Sequence, residues 1–200
     1  MSDSQYFAYF GYGSLVNRDT LRTRYVSAHR ARLSGWRRTW QPRPDTPFGD
    51  ISLLTVKPHA ETTIEGLLII DHLENLPALD EREMRYDRVQ IGQEQVDMAT
   101  EVQSAMGSMP VYLYVAQPQM AETGAEGRII QSYLDAVMQG YLVEFGQVGL
   151  DGFLSSTDEF HRPMLEDRHA PTYPRAVTLS SLEQDLFDRM LASRRGFPTN

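Results

Sequence analysis

Cysteine is absent from this chain of 200 residues. Without thiols, the chain cannot form a disulfide framework, supply a thiolate nucleophile or hold zinc through cysteine ligands. A chain of this length can nevertheless bury a substantial hydrophobic core without such cross-links.

Long apolar runs and an excess of positive charge are also missing. Apolar runs such as residues 67–70 are far shorter than the roughly 20 residues that a membrane span needs. The first residues lack the positive and apolar regions of a signal peptide, so we expect a cytoplasmic protein with no membrane partner. Lys and Arg total 19 against 27 Asp and Glu, and the net charge of −8 repels phosphate backbones. We therefore expect no nucleic-acid partner.

The order of the predicted elements indicates the fold class. Short strands are predicted at 6–12, 31–40, 51–56, 64–70, 86–96 and 111–116. Helices are predicted at 18–25, 73–85 and 128–145, and a last one runs from Ser180 or Ser181 to about Arg195. Strands thus come first, with one helix among them, and helices follow. This order predicts a single α+β domain, residues 1–200, with a curled or barrel-like sheet.

The connections between these elements carry predictions of their own. Three prolines predict a loop at 41–49, and a turn at 57–63 is expected to pair the strands 51–56 and 64–70 with each other. Residues 97–110 are expected to form a turn or loop with little chemistry. Residues 150–175, rich in charge, His and Pro, are expected to form a structured loop.

A glycine-containing segment, Phe10-Gly11-Tyr12-Gly13-Ser14-Leu15, follows the first predicted strand. Successive backbone N–H groups at such a position can bind an anion, and a carboxylate suits them better than a phosphate because the P-loop lysine is missing. Ser14 lacks the glycine two residues later that a nucleophile elbow needs. The alternative is a tight turn in which the glycines only supply unusual backbone angles.

A second segment, residues 79–86 (LDEREMRY), combines three carboxylates with two arginines. A carboxylate at the end of a half-buried helix can have a raised pKa suited to proton transfer. The alternative is a solvated helix face on which the charges pair with one another.

Four motifs in order, FGYGSL, GWRRTWQ, IEGLLII and LDEREMRYDRVQI, resemble the γ-glutamylcyclotransferase superfamily, and most closely its ChaC-type branch. The resemblance covers about residues 7–95. It implies a small β-barrel flanked by helices, with a core at about 6–147 and a C-terminal loop and helix at 148–200. It also implies that Tyr12, Gly13, Ser14 and Leu15 hold a γ-glutamyl group, that Glu83 is the catalytic acid and base, and that neither a metal nor an organic cofactor takes part.

The resemblance implies a reaction in which the substrate's own α-amine attacks its γ-carbonyl. The products are 5-oxoproline and an amine, amino acid or dipeptide, from glutathione or another small γ-glutamyl compound. Two alternatives remain: a non-catalytic module of the same fold that binds a small carboxylate, and a hydrolase that uses Ser14. The sequence does not predict an oligomeric state.

Several further residues are candidates for a role at the site. Arg37 and Arg38 are candidates to face a substrate carboxylate, and Tyr133 and Tyr141 are candidates to reach the pocket with their hydroxyls. If residues 150–175 close over the site, they would select small substrates. A metal site in that segment is an alternative to a surface loop, with these possible ligands: Asp158, Glu159, His161, Glu166, Asp167 and His169.

Overall fold

Residues 5–46, 49–117 and 127–195 are described by the computed structural model. The strands are β1 (Tyr6–Gly11), β2 (Ser27–Thr46), β3 (Gly49–His72), β4 (Tyr86–Ile91), β5 (Val96–Asp97), β6 (Val111–Ala116), β7 (Ile129–Ile130), β8 (Thr157–Asp158) and β9 (Met164–Leu165). The α-helices are α1 (Leu76–Arg82), α2 (Thr100–Met106), α3 (Gln131–Ser155) and α4 (Ser181–Arg195).

The main sheet has the strand order β4-β6-β1-β3-β2-β5, with β8 added to β2. In this sheet, β1 and β6 are parallel, and so are β2 and β8, whereas its other strand pairs are antiparallel. Strands β7 and β9 form a separate parallel pair. The main sheet curls, because the N-terminal half of β3 reaches β6, where Thr55 Oγ1 accepts a hydrogen bond from the Ala116 backbone at 2.9 Å. The fold class predicted from the sequence, α+β with a barrel-like sheet flanked by helices, is confirmed.

The long β2–β3 hairpin corrects the prediction of a loop at 41–49. Strand β2 continues to Thr46, and Pro42 lies opposite Ser52 of β3. The Ser52 N–H points away from β2, because it donates to the Arg128 carbonyl at 2.8 Å. Pro42 and Ser52 therefore form a non-hydrogen-bonded pair, in which a proline lacks no ladder bond. Residues 47 and 48 of the predicted loop lie outside the described residues.

The predicted pairing of 51–56 with 64–70 is wrong. Both runs belong to β3, and both pair with β2 on either side of an irregularity in the register. Ser34 lies opposite Thr63, whereas Trp36 lies opposite Pro58, so Gly35 faces an excursion of β3. Gly35 has φ of 85°, a conformation that glycine adopts without strain.

The remaining elements follow the prediction in part. Strands β1 and β6 and helix α4 lie where they were expected, and Ser180 caps α4 through reciprocal hydrogen bonds with Glu183. The predicted helix at 18–25 is only a 3₁₀ turn, Arg18–Thr20, capped by Asn17, whose side chain accepts from the Asp19 N–H. The predicted loop at 97–110 contains helix α2, and the predicted loop at 150–175 begins within α3.

Helix α3 packs its buried face against the sheet and reaches the loop that follows β1. A Cβ atom at Gly140 would lie 2.6 Å from the backbone nitrogen of Asn17, so only glycine permits this approach. The Asn17 side chain then donates to the Ala136 carbonyl at 3.0 Å. Glycine at position 140 thus fixes the loop against α3. None of the helices in the described ranges has the length and apolar character of a membrane-crossing segment.

Candidate active site

The segment after β1 forms a tight turn with free backbone donors. Ser14 begins a 3₁₀ turn, Ser14–Val16, whose Val16 N–H donates to the Gly13 carbonyl at 3.0 Å. The Thr20 hydroxyl donates to the Ser14 carbonyl at 2.6 Å and fixes the other side of the turn. Within the described part of the chain, the N–H groups of Gly13 and Leu15 have no acceptor. Such leading N–H groups of a helical turn are available to a ligand oxygen.

Arg38 and Tyr141 support this segment from behind. Arg38 is only 1% exposed, and its Nε donates to the Tyr12 carbonyl at 3.2 Å. The Tyr141 hydroxyl donates to the same carbonyl at 2.9 Å, and the Arg38 guanidinium stacks over the Tyr141 ring at 5.0 Å. Neither residue is among those that line the cavities described below. The structure thus gives both residues contacts with the loop backbone, whereas the sequence analysis predicted contacts with substrate.

Glu83 lies directly after α1, where the helix ends. Its N–H closes the last helical turn by donating to the Leu79 carbonyl at 2.9 Å, and Leu79 is buried in the core. The Glu83 side chain is 15% exposed, and its Oε1 accepts from Arg82 Nε at 3.0 Å. In the described part of the chain its Oε2 has no partner. Glu83 is therefore not part of a solvated helix face.

The pKa of Glu83 is raised by its surroundings. Burial disfavours the charged carboxylate and raises the pKa, while the positive charges of Arg82 and Arg175 and the hydrogen bond from Arg82 lower it in part. Burial is the larger effect. A carboxylate with this balance can hold and release a proton closer to neutral pH than an exposed one.

Two adjoining cavities bring Glu83 and the glycine segment together. The smaller, of about 30 Å³, is here called the loop cavity; Tyr12, Gly13, Ser14 and Leu15 line it together with Glu83. The larger, of about 230 Å³, is called the outer cavity, and its lining includes Ser14, residues 82–86, Tyr133 and residues 172–175. Ser14, Glu83, Tyr86 and Tyr133 line both. The predicted catalytic carboxylate and the predicted binding loop thus share one space.

Tyr133 of α3 fills the position next to the loop backbone. A Cβ atom at Gly13 would lie 2.7 Å from its hydroxyl, so glycine at position 13 makes room for this ring. Burial raises the pKa of Tyr133 well above its usual value, opposed by a hydrogen bond with the Ser14 backbone. The ring packs edge-on against Trp40 and Tyr173. Of the two tyrosines considered from the sequence, Tyr133 lines the cavities and Tyr141 does not.

A segment near the C-terminus, residues 172–175, forms part of the outer cavity wall. Asp167 holds it, because its carboxylate accepts from the Thr172 N–H at 2.8 Å and the Thr172 hydroxyl at 2.6 Å. The same carboxylate accepts from the N–H and the hydroxyl of Ser132 in α3, each at 2.7 Å. Asp167 thus ties this segment to α3. The end of the segment 150–175 covers part of the site, a contribution that no residue pattern specified.

A metal site is not formed by the predicted carboxylates and histidines. Among the described residues, no group of three or more such side chains is arranged to hold a metal ion. Asp158 pairs with Arg37 and Lys57, and the Asp167 carboxylate is taken up by Ser132 and Thr172.

Among the described residues, no base forms a hydrogen bond with the Ser14 hydroxyl. This hydroxyl lies 3.5 Å from Arg82 Nη2, and no histidine is among the described residues that line either cavity. Without such a base, the serine hydroxyl is a weak nucleophile.

Comparison with known proteins identifies the fold. No protein-family model matches the chain, and no curated protein matches it significantly. A solved structure described as a gamma-glutamyl cyclotransferase aligns with 92% of this chain and 99% of its own, at a TM-score of 0.54 and 15% identity. An uncharacterized protein from Homo sapiens aligns over the same shares at a TM-score of 0.50 and 17% identity. YkqA from Bacillus subtilis aligns with 74% of this chain and 52% of its own, at a TM-score of 0.53 and 17% identity. The chain therefore has the γ-glutamylcyclotransferase fold, as its sequence motifs predicted.

Proposed function

We propose that this protein is a cyclotransferase that cleaves a γ-glutamyl amide bond and releases 5-oxoproline. The observation that carries the proposal is the shared cavity: Glu83, with a raised pKa, lines the same cavity as Gly13 and Leu15, whose N–H groups have no acceptor among the described residues. The substrate is a small γ-glutamyl compound, such as glutathione, a γ-glutamyl amino acid or a γ-glutamyl amine.

Glu83 moves the protons of the reaction. In its ionised form, the unpartnered Oε2 accepts a proton from the substrate's α-ammonium group. The freed amine attacks the γ-carbonyl carbon, a C–N bond forms, and the carbonyl oxygen becomes an oxyanion. As the original amide C–N bond breaks and the oxyanion becomes a carbonyl again, Glu83 gives its proton to the leaving nitrogen. The ring nitrogen still carries two hydrogens, and Glu83 passes one of them to the freed amine. Glu83 is then ionised again, and the products are the 5-oxoproline lactam and an ammonium ion. Proton transfer by one positioned side chain contributes roughly 10²–10⁴-fold to a rate.

The glycine segment stabilises the charge that develops on the carbonyl oxygen. The loop cavity of about 30 Å³ can admit a group of the size of a carbonyl oxygen. The N–H groups of Gly13 and Leu15 are available to such an oxyanion, and one such donor is worth about 2.7–4 kcal/mol in other enzymes. Arg38 and Tyr141 keep these donors in place from behind.

Folding the substrate against the cavity wall supplies much of the remaining rate. The attacking amine and the carbonyl belong to one molecule, and a correctly oriented intramolecular attack can be worth about 7–11 kcal/mol. No nucleophile from the protein is required, which agrees with a chain that has no cysteine.

The test is the identity of the product. The purified full chain is incubated with glutathione, γ-glutamyl-alanine and γ-glutamyl-ethylamine, and the products are separated by chromatography. We expect 5-oxoproline from at least one compound. Free glutamate instead would indicate hydrolysis through Ser14. Binding without turnover, measured by calorimetry, would indicate the non-catalytic module.

A further inference from the structure

Among the described residues, two arginines of the outer cavity have no carboxylate within salt-bridge distance. Arg82 is engaged by Glu83, by the Thr20 carbonyl and by Ser14. Arg85 and Arg175 also line the outer cavity and are half-buried, yet no carboxylate lies within salt-bridge distance of either in the part of the chain that is described. Partly buried cations are costly unless they are paired, and a chain of net charge −8 has ample carboxylates to pair them.

Arg175 is also held in a defined position. On its N-terminal side, Thr172 is bound by Asp167, and the Pro174 carbonyl accepts from Arg22 Nη2 at 3.2 Å. The Ala176 N–H, on the other side, donates to the Tyr173 carbonyl at 3.1 Å. With the backbone fixed in this way, only the arginine side chain has to be ordered when the guanidinium binds an anion.

In the proposed reaction, the amide bond that breaks lies between the loop cavity and the outer cavity. The carbonyl oxygen belongs in the loop cavity, next to the amides and Glu83, so the leaving group extends into the outer cavity. We propose that Arg175, together with Arg85, binds a carboxylate of the leaving group. This inference rests on the proposed function and narrows its substrates to γ-glutamyl amino acids and peptides, as opposed to γ-glutamyl amines.

The test compares two substrates that differ only in this carboxylate, γ-glutamyl-alanine and γ-glutamyl-ethylamine. We expect wild-type kcat/KM to favour the alanine compound. At a pH well above the acid limb, where Glu83 stays ionised without the Arg175 charge, Arg175→Gln should lower kcat/KM for γ-glutamyl-alanine by roughly 10- to 100-fold, the equivalent of one hydrogen bond to a charged group. At the same pH it should leave kcat/KM for γ-glutamyl-ethylamine within about threefold of wild type. Arg189→Gln, an equal change of charge on the exposed face of α4, should leave both unchanged.

An equal loss for both substrates would overturn the inference, because Arg175 would then act on the γ-glutamyl part or on Glu83. A wild-type preference for the amine would overturn it as well. Calorimetry on Glu83→Gln separates this question from the chemistry. In one outcome, wild type yields no 5-oxoproline from any compound, but Glu83→Gln binds γ-glutamyl-alanine more tightly than γ-glutamyl-ethylamine. If the double variant Glu83→Gln/Arg175→Gln then binds both compounds equally, the carboxylate subsite is supported and the cyclotransferase activity is refuted. Equal binding of both compounds refutes the subsite alone.

Discussion

We predict that Arg82 sets the pH at which Glu83 becomes a base. In the proposed reaction Glu83 must be ionised to accept the substrate's proton, so kcat/KM should fall as the pH drops below its pKa. Burial raises that pKa, and the Arg82 charge and hydrogen bond lower it. Replacing Arg82 by glutamine removes part of the opposing effect. The pKa of Glu83 should rise further, and the acid limb of the pH profile should move to higher pH.

The size of the shift follows from the geometry of the pair. Arg82 Nε lies 3.0 Å from Glu83 Oε1, and the two side chains are only 10% and 15% exposed, so solvent screens the contact weakly. A hydrogen bond between charged groups in such surroundings contributes about 1.5–3 kcal/mol. Since one pKa unit corresponds to about 1.4 kcal/mol, the acid limb should move up by about one to two pH units.

The assay is 5-oxoproline formation at low substrate concentration across the pH range, because kcat/KM reports the groups of the free enzyme. Arg88→Gln is the matched control, since Arg88 pairs with Asp80 and not with Glu83. Thermal unfolding of each variant checks that the Arg82 contact with Thr20 is not needed for folding. An acid limb at the wild-type pH in a folded Arg82→Gln protein would refute the role given to Glu83.

Three further predictions concern stability and the loop. Burial raises the pKa of Glu83, so ionisation of this carboxyl group opposes folding above that pKa. Glu83→Gln should therefore have a Tm no lower than that of wild type at neutral pH. A clearly lower Tm would contradict this prediction. Asp167→Asn should lower the free energy of unfolding by about 1.5–3 kcal/mol in urea at pH 7. Burial raises the pKa of Asp167, but hydrogen bonds from Thr172 and Ser132 outweigh burial and hold the pKa low. The difference in unfolding free energy between wild type and Asp167→Asn should therefore shrink as the pH falls through the pKa of Asp167. A difference that stays constant with pH would count against this prediction. Gly13→Ala places a Cβ atom 2.7 Å from the Tyr133 hydroxyl. This change should reduce kcat/KM at least tenfold, which corresponds to the loss of about 1.4 kcal/mol of transition-state binding. Wild-type kinetics would instead show that the loop tolerates the added methyl group.

The sequence predicted the elements with strong local signals. Strand β1 ends at a glycine, and Ser180 with Glu183 forms a capping box, so both boundaries are determined by neighbouring residues. Pro42 misled the prediction of β2, because a proline excludes a strand only where its missing N–H would face a partner strand. That orientation depends on the register with β3, which no local pattern determines.

The same distinction applies to the candidate site: local motifs predicted some of its residues, whereas long-range packing places the others. Glu83 and the glycine segment lie in sequence motifs, and they could be named from them. Tyr133 was only one of two possible tyrosines, because the choice depends on how α3 is turned against the sheet. Arg175 had no recognisable pattern, since its segment is joined to α3 through Asp167, which binds both Thr172 and the distant Ser132.

The most direct measurement compares Glu83→Gln with Glu81→Gln, which removes an exposed carboxylate two residues away on α1. Both variants are first shown to be folded by thermal unfolding. They are then assayed for 5-oxoproline formation with the best substrate at the pH optimum. The account predicts that Glu81→Gln keeps wild-type activity and that Glu83→Gln loses roughly 10²–10⁴-fold in kcat. A kcat of Glu83→Gln within about twofold of the wild-type kcat would contradict the proposed role of Glu83, because the expected loss is far larger.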